Sequence, residues 1–413
     1  MIILAINCRF CNESLTNIFV DLGISPLSNA FLKKKMLDDL EKKHPLCAYV
    51  CDNCFLVQLP EFEKPESIFE DYAYFSSYSS TWLQHAKDYV EMIIPRLSLN
   101  ENSIVIEIAS NDGYLLQNFI EKNITVLGIE PAQNIAKAAM EKNIPTLTKF
   151  FNSQLAKDLV KEGKKADLII GNNVLAHVPC LNDFIIGLKI LLKPNGVITL
   201  EVPHLLQLMQ NNQFDTIYHE HFSYFSVITL EKIFSTHGFI IFNVEEISTH
   251  GGSLRIYVKD VKNNEFLVNS SVERIIKKEI ECGLTDISTY TNFGEKIKNI
   301  RKAIKEFFDL AKNENKNIVG YGAAAKGNTL LNYCEIGKEF MDYVVDRNIH
   351  KQGLYLPGTH IPVKNPKEIL NTKPDYLVIL PWNLKDEIMN QWNFIKQWGG
   401  KFVTLIPDVE IYS

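Results

Sequence analysis

The stretch IVIEIASNDGYLL, residues 104–116, determines how the middle of the chain folds. A run of β-branched and apolar residues stops at small residues and continues in a helix-like pattern, which predicts a strand, a tight turn and a helix. In such a turn the backbone comes close to a bound ligand, and small side chains permit that approach. Ala109, Ser110, Asn111 and Gly113 supply them here. The stretch therefore predicts the ligand-binding turn of an α/β domain.

Further strand-like runs follow at similar intervals, separated by helical stretches. They are ITVLGIE at 124–130, ADLIIGNN at 166–173 and GVITLEVP at 196–203. This alternation is typical of a parallel sheet with right-handed crossovers. We therefore predict a doubly wound, Rossmann-like α/β domain over residues 101–245.

Two carboxylates near the first turn indicate which cofactor the domain takes. The turn reads A-S-N-D-G and not G-x-G-x-x-G, so a pyrophosphate cradle is disfavoured. Glu107 precedes the turn, and Glu130 ends the next strand, where a carboxylate can accept hydrogen bonds from ribose hydroxyls. This pair suits a cofactor with a ribose and a positive charge but no phosphate. S-adenosylmethionine is such a molecule.

A third signal lies at L-K-P-N-G, residues 192–196, with Glu201 in the strand that follows. Pro and Asn-Gly are turn-forming residues, so a tight turn is predicted at 193–196. The arrangement resembles the turn before the fifth strand of Rossmann-type methyltransferases.

Cysteines are concentrated near the start of the chain. CRFC at 8–11 and CDNC at 51–54 are two C-x-x-C knuckles, and four thiolates make a tetrahedral set that fits structural zinc. Cys8, Cys11, Cys51 and Cys54 would fill the coordination sphere and leave no position for water. Two disulfides would use the same thiols, and this alternative stays open here. We predict a zinc-binding domain over residues 1–70 and a helical connector over 71–100.

The end of the chain resumes the α/β pattern. GYGAAAKGN, residues 320–328, follows a strand-like run and opens a helix, so its backbone N–H groups can face a phosphate, with Lys326 adding charge. A loop-rich segment containing Asp346 and Arg347 borders the same region. We predict a smaller Rossmann-like domain over residues 246–413. A nicotinamide enzyme that uses this turn, with Asp346 on the ribose, is an alternative.

The stretch YHEHFSYFS, residues 218–226, places Tyr218, His219, Glu220 and His221 side by side, followed by more aromatic residues. A strand would divide these proton-handling groups over two faces, and a surface loop would gain nothing from the aromatics. We therefore predict that this stretch forms the lip of a pocket.

Composition excludes several classes of function. The chain has 413 residues and a net charge of −6, without a dense block of Lys and Arg, so nucleic acid is a poor partner. No window approaches the ~18 uninterrupted apolar residues of a membrane helix. MIILAIN at the start is too short for a signal peptide and lacks its basic residues. We expect a soluble, cytoplasmic protein without a membrane partner.

The chain resembles one family, the three-domain nucleotide-sugar C-methyltransferases. The resemblance rests on the order of four motifs: the knuckles, E-x-A-S-N-D-G, YHEHFSYF and GYGAAAKGN. The resemblance covers nearly the whole chain. It implies a zinc-binding domain, a central S-adenosylmethionine domain and a C-terminal domain that helps to hold a nucleotide sugar. By this resemblance the cofactor positions are Glu107, Ala109, Ser110, Asn111, Asp112, Gly113, Glu130, Asn172 and Asn173.

The resemblance also implies which residues face the substrate. His221 is expected to act as the base, oriented by Glu220 or a neighbour, while Tyr218 and His177 donate hydrogen bonds to the carbonyl or enolate oxygen. One of Tyr72 and Tyr74 corresponds to a substrate-side tyrosine. His250 lies in a loop near the substrate, although a hairpin bend explains it nearly as well. The other expected substrate residues are Lys326, Asn328, Asp346 and Arg347.

The implied reaction is C-methylation of a nucleotide-linked 4-keto-deoxysugar at C3. A ring carbon becomes nucleophilic when a neighbouring ketone lets it lose a proton and form an enolate, which requires a base and an oxyanion donor. The protein is expected to be a monomer or a small homo-oligomer. The competing interpretations are a methyltransferase for RNA or protein and a non-catalytic module that binds zinc and a nucleotide.

Overall fold

A computed structural model describes residues 6–64 and 75–413, and the strands within these ranges form three sheets. The strands are β1 (Asn17–Ser25), β2 (His44–Val50), β3 (Val57–Gln58), β4 (Ile104–Ile108), β5 (Thr125–Ile129), β6 (Thr146–Leu147), β7 (Ala166–Asn172), β8 (Leu192–Pro203), β9 (Ser223–Tyr224), β10 (Phe239–Ile247), β11 (Ser253–Asp260), β12 (Ile318–Tyr321), β13 (Val344–Val345), β14 (Val363–Lys364), β15 (Tyr376–Ile379), β16 (Lys401–Thr404) and β17 (Glu410–Tyr412).

Helices alternate with these strands over most of the chain. They are α1 (Ser80–Arg96), α2 (Leu116–Ile120), α3 (Gln133–Glu141), α4 (Ser153–Lys161), α5 (Leu181–Leu191), α6 (Leu205–Gln210), α7 (Val227–Thr236), α8 (Ser270–Glu281), α9 (Ile287–Thr291), α10 (Phe293–Asn313), α11 (Ala325–Cys334), α12 (Glu368–Thr372) and α13 (Lys385–Gln391). In the described ranges, no helix combines the length and apolar character needed to cross a membrane.

The central sheet has the strand order β6-β5-β4-β7-β8-β11-β10. Its strands from β6 to β8 run parallel, as the alternating strands and helices predicted. The carboxyl ends of parallel strands share one edge of the sheet, so the ends of β4, β5 and β7 lie side by side. The turn predicted at 193–196 lies within β8, where the pairing with β7 has a register shift.

The predicted boundary at residue 245 cuts through this sheet. β11 pairs antiparallel with β8 on one side and with β10 on the other. The hairpin of β10 and β11 therefore belongs to the central unit, which continues to Asp260. The predicted connector also belongs there, since Tyr89 of α1 is buried and its hydroxyl contacts Thr199 Oγ1 of β8 at 2.6 Å.

The N-terminal sheet has the order β1-β2-β3-β9, and its last strand comes from the middle of the chain. β9 pairs antiparallel with β3 and directly follows the YHEH cluster. A two-residue strand carries no periodic signal, so the sequence did not predict this pairing.

The C-terminal sheet has the order β14-β13-β12-β15-β16-β17 and is parallel except for β17, which confirms a second α/β unit. Helix α10 packs Ile297, Ile304 and Phe308 into a core that it shares with β1. The rings of Phe19 and Phe293 stack there with centroids 4.6 Å apart. The first and last domains thus pack against each other.

Two glycines with the same backbone conformation test how tightly the cofactor turn is packed. Gly113 has φ +76 and Gly163 has φ +77, but only at Gly113 would a Cβ collide with a side chain, that of buried Ile144. Both alanine variants lose stability because alanine is disfavoured at a positive φ. We expect Gly113→Ala to cost about 1–3 kcal/mol more than Gly163→Ala because of overpacking, measured by urea unfolding. Equal losses in the two variants would contradict the tight turn.

Candidate active site

The first turn of the central domain has an unusual backbone and a buried acid. Ala109 and Asn111 take φ +56 and +49, in the left-handed region that non-glycine residues rarely adopt. Glu107 of β4 is fully buried, and neither of its carboxylate oxygens has a hydrogen-bond partner of ordinary geometry among the described residues. Strained backbone and an unsatisfied buried acid together are typical of a ligand site.

Glu130, directly after β5, holds this turn in place. Its Oε2 accepts a hydrogen bond from Asn111 N at 3.0 Å, and its Oε1 accepts one from Ala132 N at 2.9 Å. Each oxygen keeps a second lone pair, so the carboxylate can still accept from a ligand.

Burial sets the protonation of both acids. Burial, and next the nearby charge of Glu130, raise the pKa of Glu107 well above its usual range. Burial also raises the pKa of Glu130 to about 7. Both carboxyl groups therefore favour the neutral form until a positive group or hydroxyl donors arrive to stabilise the ionised form.

Other predicted cofactor residues surround the same edge. The Oδ1 atom of Asn111 accepts hydrogen bonds from Ser76 N and Asp112 N, both at 2.9 Å, which ties the turn to the segment before α1. Asn173 follows β7 with φ +55, and its N–H donates to Glu201 O at 2.8 Å. Several side-chain atoms here are buried without a partner among the described residues: Ser110 Oγ, Asp112 Oδ1, Asn172 Nδ2 and Asn173 Oδ1.

These residues fit S-adenosylmethionine. The two acids accept hydrogen bonds and attract positive charge, and the neighbouring amide and hydroxyl groups can meet a sugar or an amino acid moiety. The residues that would hold the cofactor are thus Glu107, Glu130 and the 109–113 turn, with Asn172 and Asn173 beside them.

Sequence reasoning missed a charged network next to this edge. Glu201 of β8 is buried and accepts from His85 Nε2 at 3.0 Å and from Arg255 Nη2 at 2.7 Å. The ring of Trp82 stacks on His85, with centroids 4.9 Å apart, and meets His250 edge-on at 5.2 Å. Glu201, an acidic residue within an otherwise apolar strand, was the sequence feature that could have indicated this network.

The residues 218–222, named the histidine segment here, bring the Tyr218 hydroxyl onto a half-buried imidazole, that of His221. His221 Nδ1 lies 2.9 Å from the carbonyl oxygen of Thr216, which can only accept, so Nδ1 carries the proton. In the neutral ring Nε2 is then an acceptor, and the Tyr218 hydroxyl donates to it at 2.9 Å. Burial, and next the charge of His177, lower the pKa of His221 well below its usual range.

His177 faces the same ring, with centroids 4.7 Å apart. Its Nδ1 donates to the backbone oxygen of Glu220 at 2.7 Å. Burial lowers the pKa of His177 to about 4, so the ring is neutral and its one N–H is engaged. In this tautomer the Nε2 of His177 can only accept a hydrogen bond, and the role of His177 toward the substrate stays a prediction.

Glu220 does not orient His221, because its carboxylate lies elsewhere. Both oxygens accept from Asn29 Nδ2 in the N-terminal domain, at 2.8 and 3.0 Å. Burial raises the pKa of Glu220 to about 7, and the charge of Lys351 lowers it less strongly. Thr216 is the neighbour that orients His221. The contact of Asn29 with Glu220 was not indicated by any feature of the sequence.

Lys326 and His250 lie at the boundary of the central and C-terminal domains. The Lys326 ammonium group donates to Asn383 Oδ1 at 2.6 Å and lies over the ring of Trp382, 4.6 Å from its centroid. Burial lowers the pKa of Lys326. His250 takes φ +55, and burial lowers its pKa to about 4.

The other predicted substrate residues have structural partners. Asp346 accepts from Ala323 N at 2.8 Å, so it occupies one N–H of the turn predicted to bind phosphate. Asn328 is buried and donates to Ser28 O at 2.6 Å. Arg347 is turned toward Gln391 and Glu387. Tyr72 and Tyr74 lie outside the described residues.

The two knuckles meet as predicted. The Sγ atoms of Cys8, Cys11, Cys51 and Cys54 all lie within 4.8 Å of one another. The pairs Cys8–Cys54 and Cys11–Cys51 are 3.6 and 3.4 Å apart, far beyond the ~2.05 Å of a disulfide. Tetrahedral sulfurs about 2.3 Å from zinc would be about 3.8 Å apart, so the cluster fits the metal.

Comparison with known proteins decides the family. Over 407 residues the chain is 31% identical to C-methyltransferase NovU from Streptomyces niveus, and the match covers 98% of this chain and 96% of that protein. The chain belongs to the C-methyltransferase family.

Family models match three consecutive parts of this C-methyltransferase. A zinc binding domain model matches residues 8–69, a methyltransferase domain model matches 82–244, and a C-methyltransferase C-terminal domain model matches 248–407. The protein is therefore an S-adenosylmethionine-dependent C-methyltransferase with a Rossmann-like central domain and a structural zinc site. These predictions are confirmed.

Other similarities cover less of the chain. A ubiquinone biosynthesis O-methyltransferase from Bartonella tribocorum is 31% identical over 98 residues, which is 24% of this chain and 40% of that protein. The solved magnesium protoporphyrin IX methyltransferase from Synechocystis PCC 6803 with bound S-adenosylmethionine has a TM-score of 0.35 and 16% identity, covering 48% of this chain and 99% of that one.

The raised pKa of Glu130, about 7, predicts a pH-dependent cofactor affinity. Since the cationic cofactor favours ionised acids, we expect S-adenosylmethionine to bind more tightly as pH rises from about 6 to 7.5. One linked proton gives at most about tenfold per pH unit, with protons released on binding. Calorimetry in buffers of different ionisation enthalpy measures both. Glu130→Gln should flatten the dependence, and an affinity independent of pH in the unmodified protein would contradict the account.

Proposed function

We propose that the protein methylates a ring carbon, C3, of a nucleotide-linked 4-keto-deoxysugar through an enolate. The observation that carries this proposal is the neutral, half-buried His221 ring, whose unprotonated Nε2 accepts a hydrogen bond from the Tyr218 hydroxyl. Carbon methylation needs such a base, because a carbon next to a ketone becomes nucleophilic only after losing a proton.

The fixed tautomer of His221 leaves its Nε2 unprotonated and able to remove a proton. Nε2 of His221 takes the proton from C3, and the electron pair of the C–H bond moves toward the ketone oxygen. The resulting imidazolium keeps its Nδ1–H bond to Thr216 O. Although burial disfavours the charged ring, the enolate forms beside it and the two opposite charges stabilise each other.

The Tyr218 hydroxyl donates a hydrogen bond to the enolate oxygen. It donates to His221 Nε2 in this structure, and it becomes available when the substrate carbon takes that place. One lost oxyanion donor typically costs about 10²- to 10³-fold in rate. His177, whose Nε2 accepts, suits a sugar hydroxyl better than the oxygen of the enolate.

Bound S-adenosylmethionine supplies an electrophilic methyl group on a positively charged sulfur, which keeps the electron pair of the broken bond. The chain's part is to hold this cofactor at Glu107 and Glu130 and to exclude water from the strand ends. Both acids are at most 5% exposed.

The C-terminal domain contributes a half-buried cation to the proposed substrate site. Asp346 occupies Ala323 N, so the glycine turn is a poorer phosphate cradle than its sequence indicated. After burial, the charge of Lys326 is a further influence on the pKa of Asp215, His250 and His221. We assign Lys326 to the sugar end of the substrate, with the nucleotide nearer the domain surface.

A macromolecular substrate is the second candidate, and the net charge of −6 is unfavourable for binding RNA.

We further propose that the protein acts on this small-molecule substrate in the cytoplasm, as a monomer or a small homo-oligomer.

A matched pair of variants tests the base. His219 neighbours His221, but its Nε2 lies 3.1 Å from the Pro45 carbonyl oxygen, away from the site. Glutamine can keep either backbone contact but cannot take up a proton. We expect His221→Gln to lower kcat by about 10²- to 10⁴-fold and His219→Gln to change it little, with cofactor affinity unchanged in both. Near-normal kcat in His221→Gln would show that another group is the base.

The substrate class is tested with labelled S-adenosylmethionine and a panel of 4-keto nucleotide sugars, total RNA and unfolded protein. We expect the labelled methyl group to be found on a carbon atom of one of the sugars. Transfer only to RNA or protein would refute the proposed substrate.

A further inference from the structure

The histidine segment is attached to the zinc-binding domain. Ser223, just after the segment, pairs with Gln58 in the β3–β9 ladder. Phe222, which follows His221 directly, accepts through its carbonyl oxygen from Leu59 N at 3.0 Å. The strand that leaves the second knuckle is therefore bonded to the residues next to the proposed base.

Gln58 also reaches the first knuckle. Its Nε2 donates to Cys8 Sγ at 3.1 Å, and its Oε1 accepts from Arg9 N at 2.9 Å. Its side chain is buried, and so is Cys8. Gln58 thus contacts a zinc-ligating sulfur through its side chain and Ser223, the residue after the histidine segment, through its backbone.

Arg9, inside the first knuckle, makes a second connection. Its Nη1 donates to Pro179 O at 3.0 Å, its Nη2 donates to Leu59 O, and its guanidinium group lies over the Phe222 ring, 5.4 Å from the centroid. Phe222 N in turn donates to Ala176 O at 2.7 Å, next to His177. Arg9 of the first knuckle and Leu59, after the second knuckle, therefore both contact Phe222.

We propose that the zinc centre positions the proposed base, with Gln58 and Arg9 as positioning residues. The knuckles are 40 positions apart in the chain, and four thiolates repel one another unless a cation joins them. Metal bound by all four sulfurs fixes β3, and β3 fixes the backbone at Phe222. The proposal rests on the proposed function only in that the histidine segment supplies the base.

Backbone amide hydrogen exchange tests the connection without any assay of activity. After chelation of zinc from the intact protein, we expect exchange at 56–60 and 218–226 to rise at least about tenfold, whereas the 104–130 region changes less. Reloading zinc should restore the protection. Unchanged protection at 218–226 in the metal-free protein would overturn the proposal.

A zinc-loaded variant covers the case in which the metal-free protein unfolds. Gln58→Met keeps the size of the side chain but removes its hydrogen bonds to Cys8 and Arg9. We expect faster exchange at 218–226 and a kcat reduced by about 10- to 100-fold, with unchanged cofactor affinity and full zinc content.

The matched control is Lys232→Met. Lys232 donates to Asn53 O in the second knuckle at 2.9 Å but does not contact the histidine segment, so exchange and kcat should stay at the unmodified level. Gln58→Met that binds zinc and keeps normal exchange at 218–226 would contradict the positioning role. If no sugar is methylated by the unmodified protein, the proposed function fails while the exchange result still decides this inference.

Discussion

The structure depends on the burial of two carboxyl groups at the shared edge of neighbouring parallel strands. Glu107 and Glu130 are removed from water, and burial raises the pKa of each. Removing an ionised acid from water costs stability unless a partner compensates for it. The fold places this cost where a ligand with hydroxyl groups and a positive charge would offset it. We expect cofactor selectivity to follow from the burial of these two acids.

The protonation of the two histidines, His177 and His221, follows from hydrogen bonds to carbonyl oxygens. A backbone oxygen can only accept, so Thr216 and Glu220 determine which nitrogen of His221 and His177 carries the proton. Both rings are half-buried and neutral, and their Nε2 atoms are acceptors. Under the proposed function, these unprotonated nitrogens, the Tyr218 hydroxyl and Lys326 would remove a proton from carbon and stabilise the negative oxygen that results.

Local pattern predicted much of this arrangement. The alternation of apolar runs gave the parallel sheet, adjacent strand ends brought Glu107 near Glu130, and the C-x-x-C spacing gave the zinc site. Contacts between distant segments were not predictable. Asn29 binds Glu220 across 191 positions, and the short β9 joins a sheet that begins in another domain. The turn before α11 looked like a phosphate site because the sequence does not show that Asp346 occupies its backbone N–H.

The central claim is that His221 removes a proton from the carbon beside a ketone. The most direct measurement is deuterium incorporation at that carbon, followed by NMR, when a 4-keto nucleotide sugar is incubated in deuterated water with the protein and S-adenosylhomocysteine, so that no methyl transfer occurs. We expect exchange with the unmodified protein and none above background with His221→Gln. Equal exchange in the two proteins would contradict it.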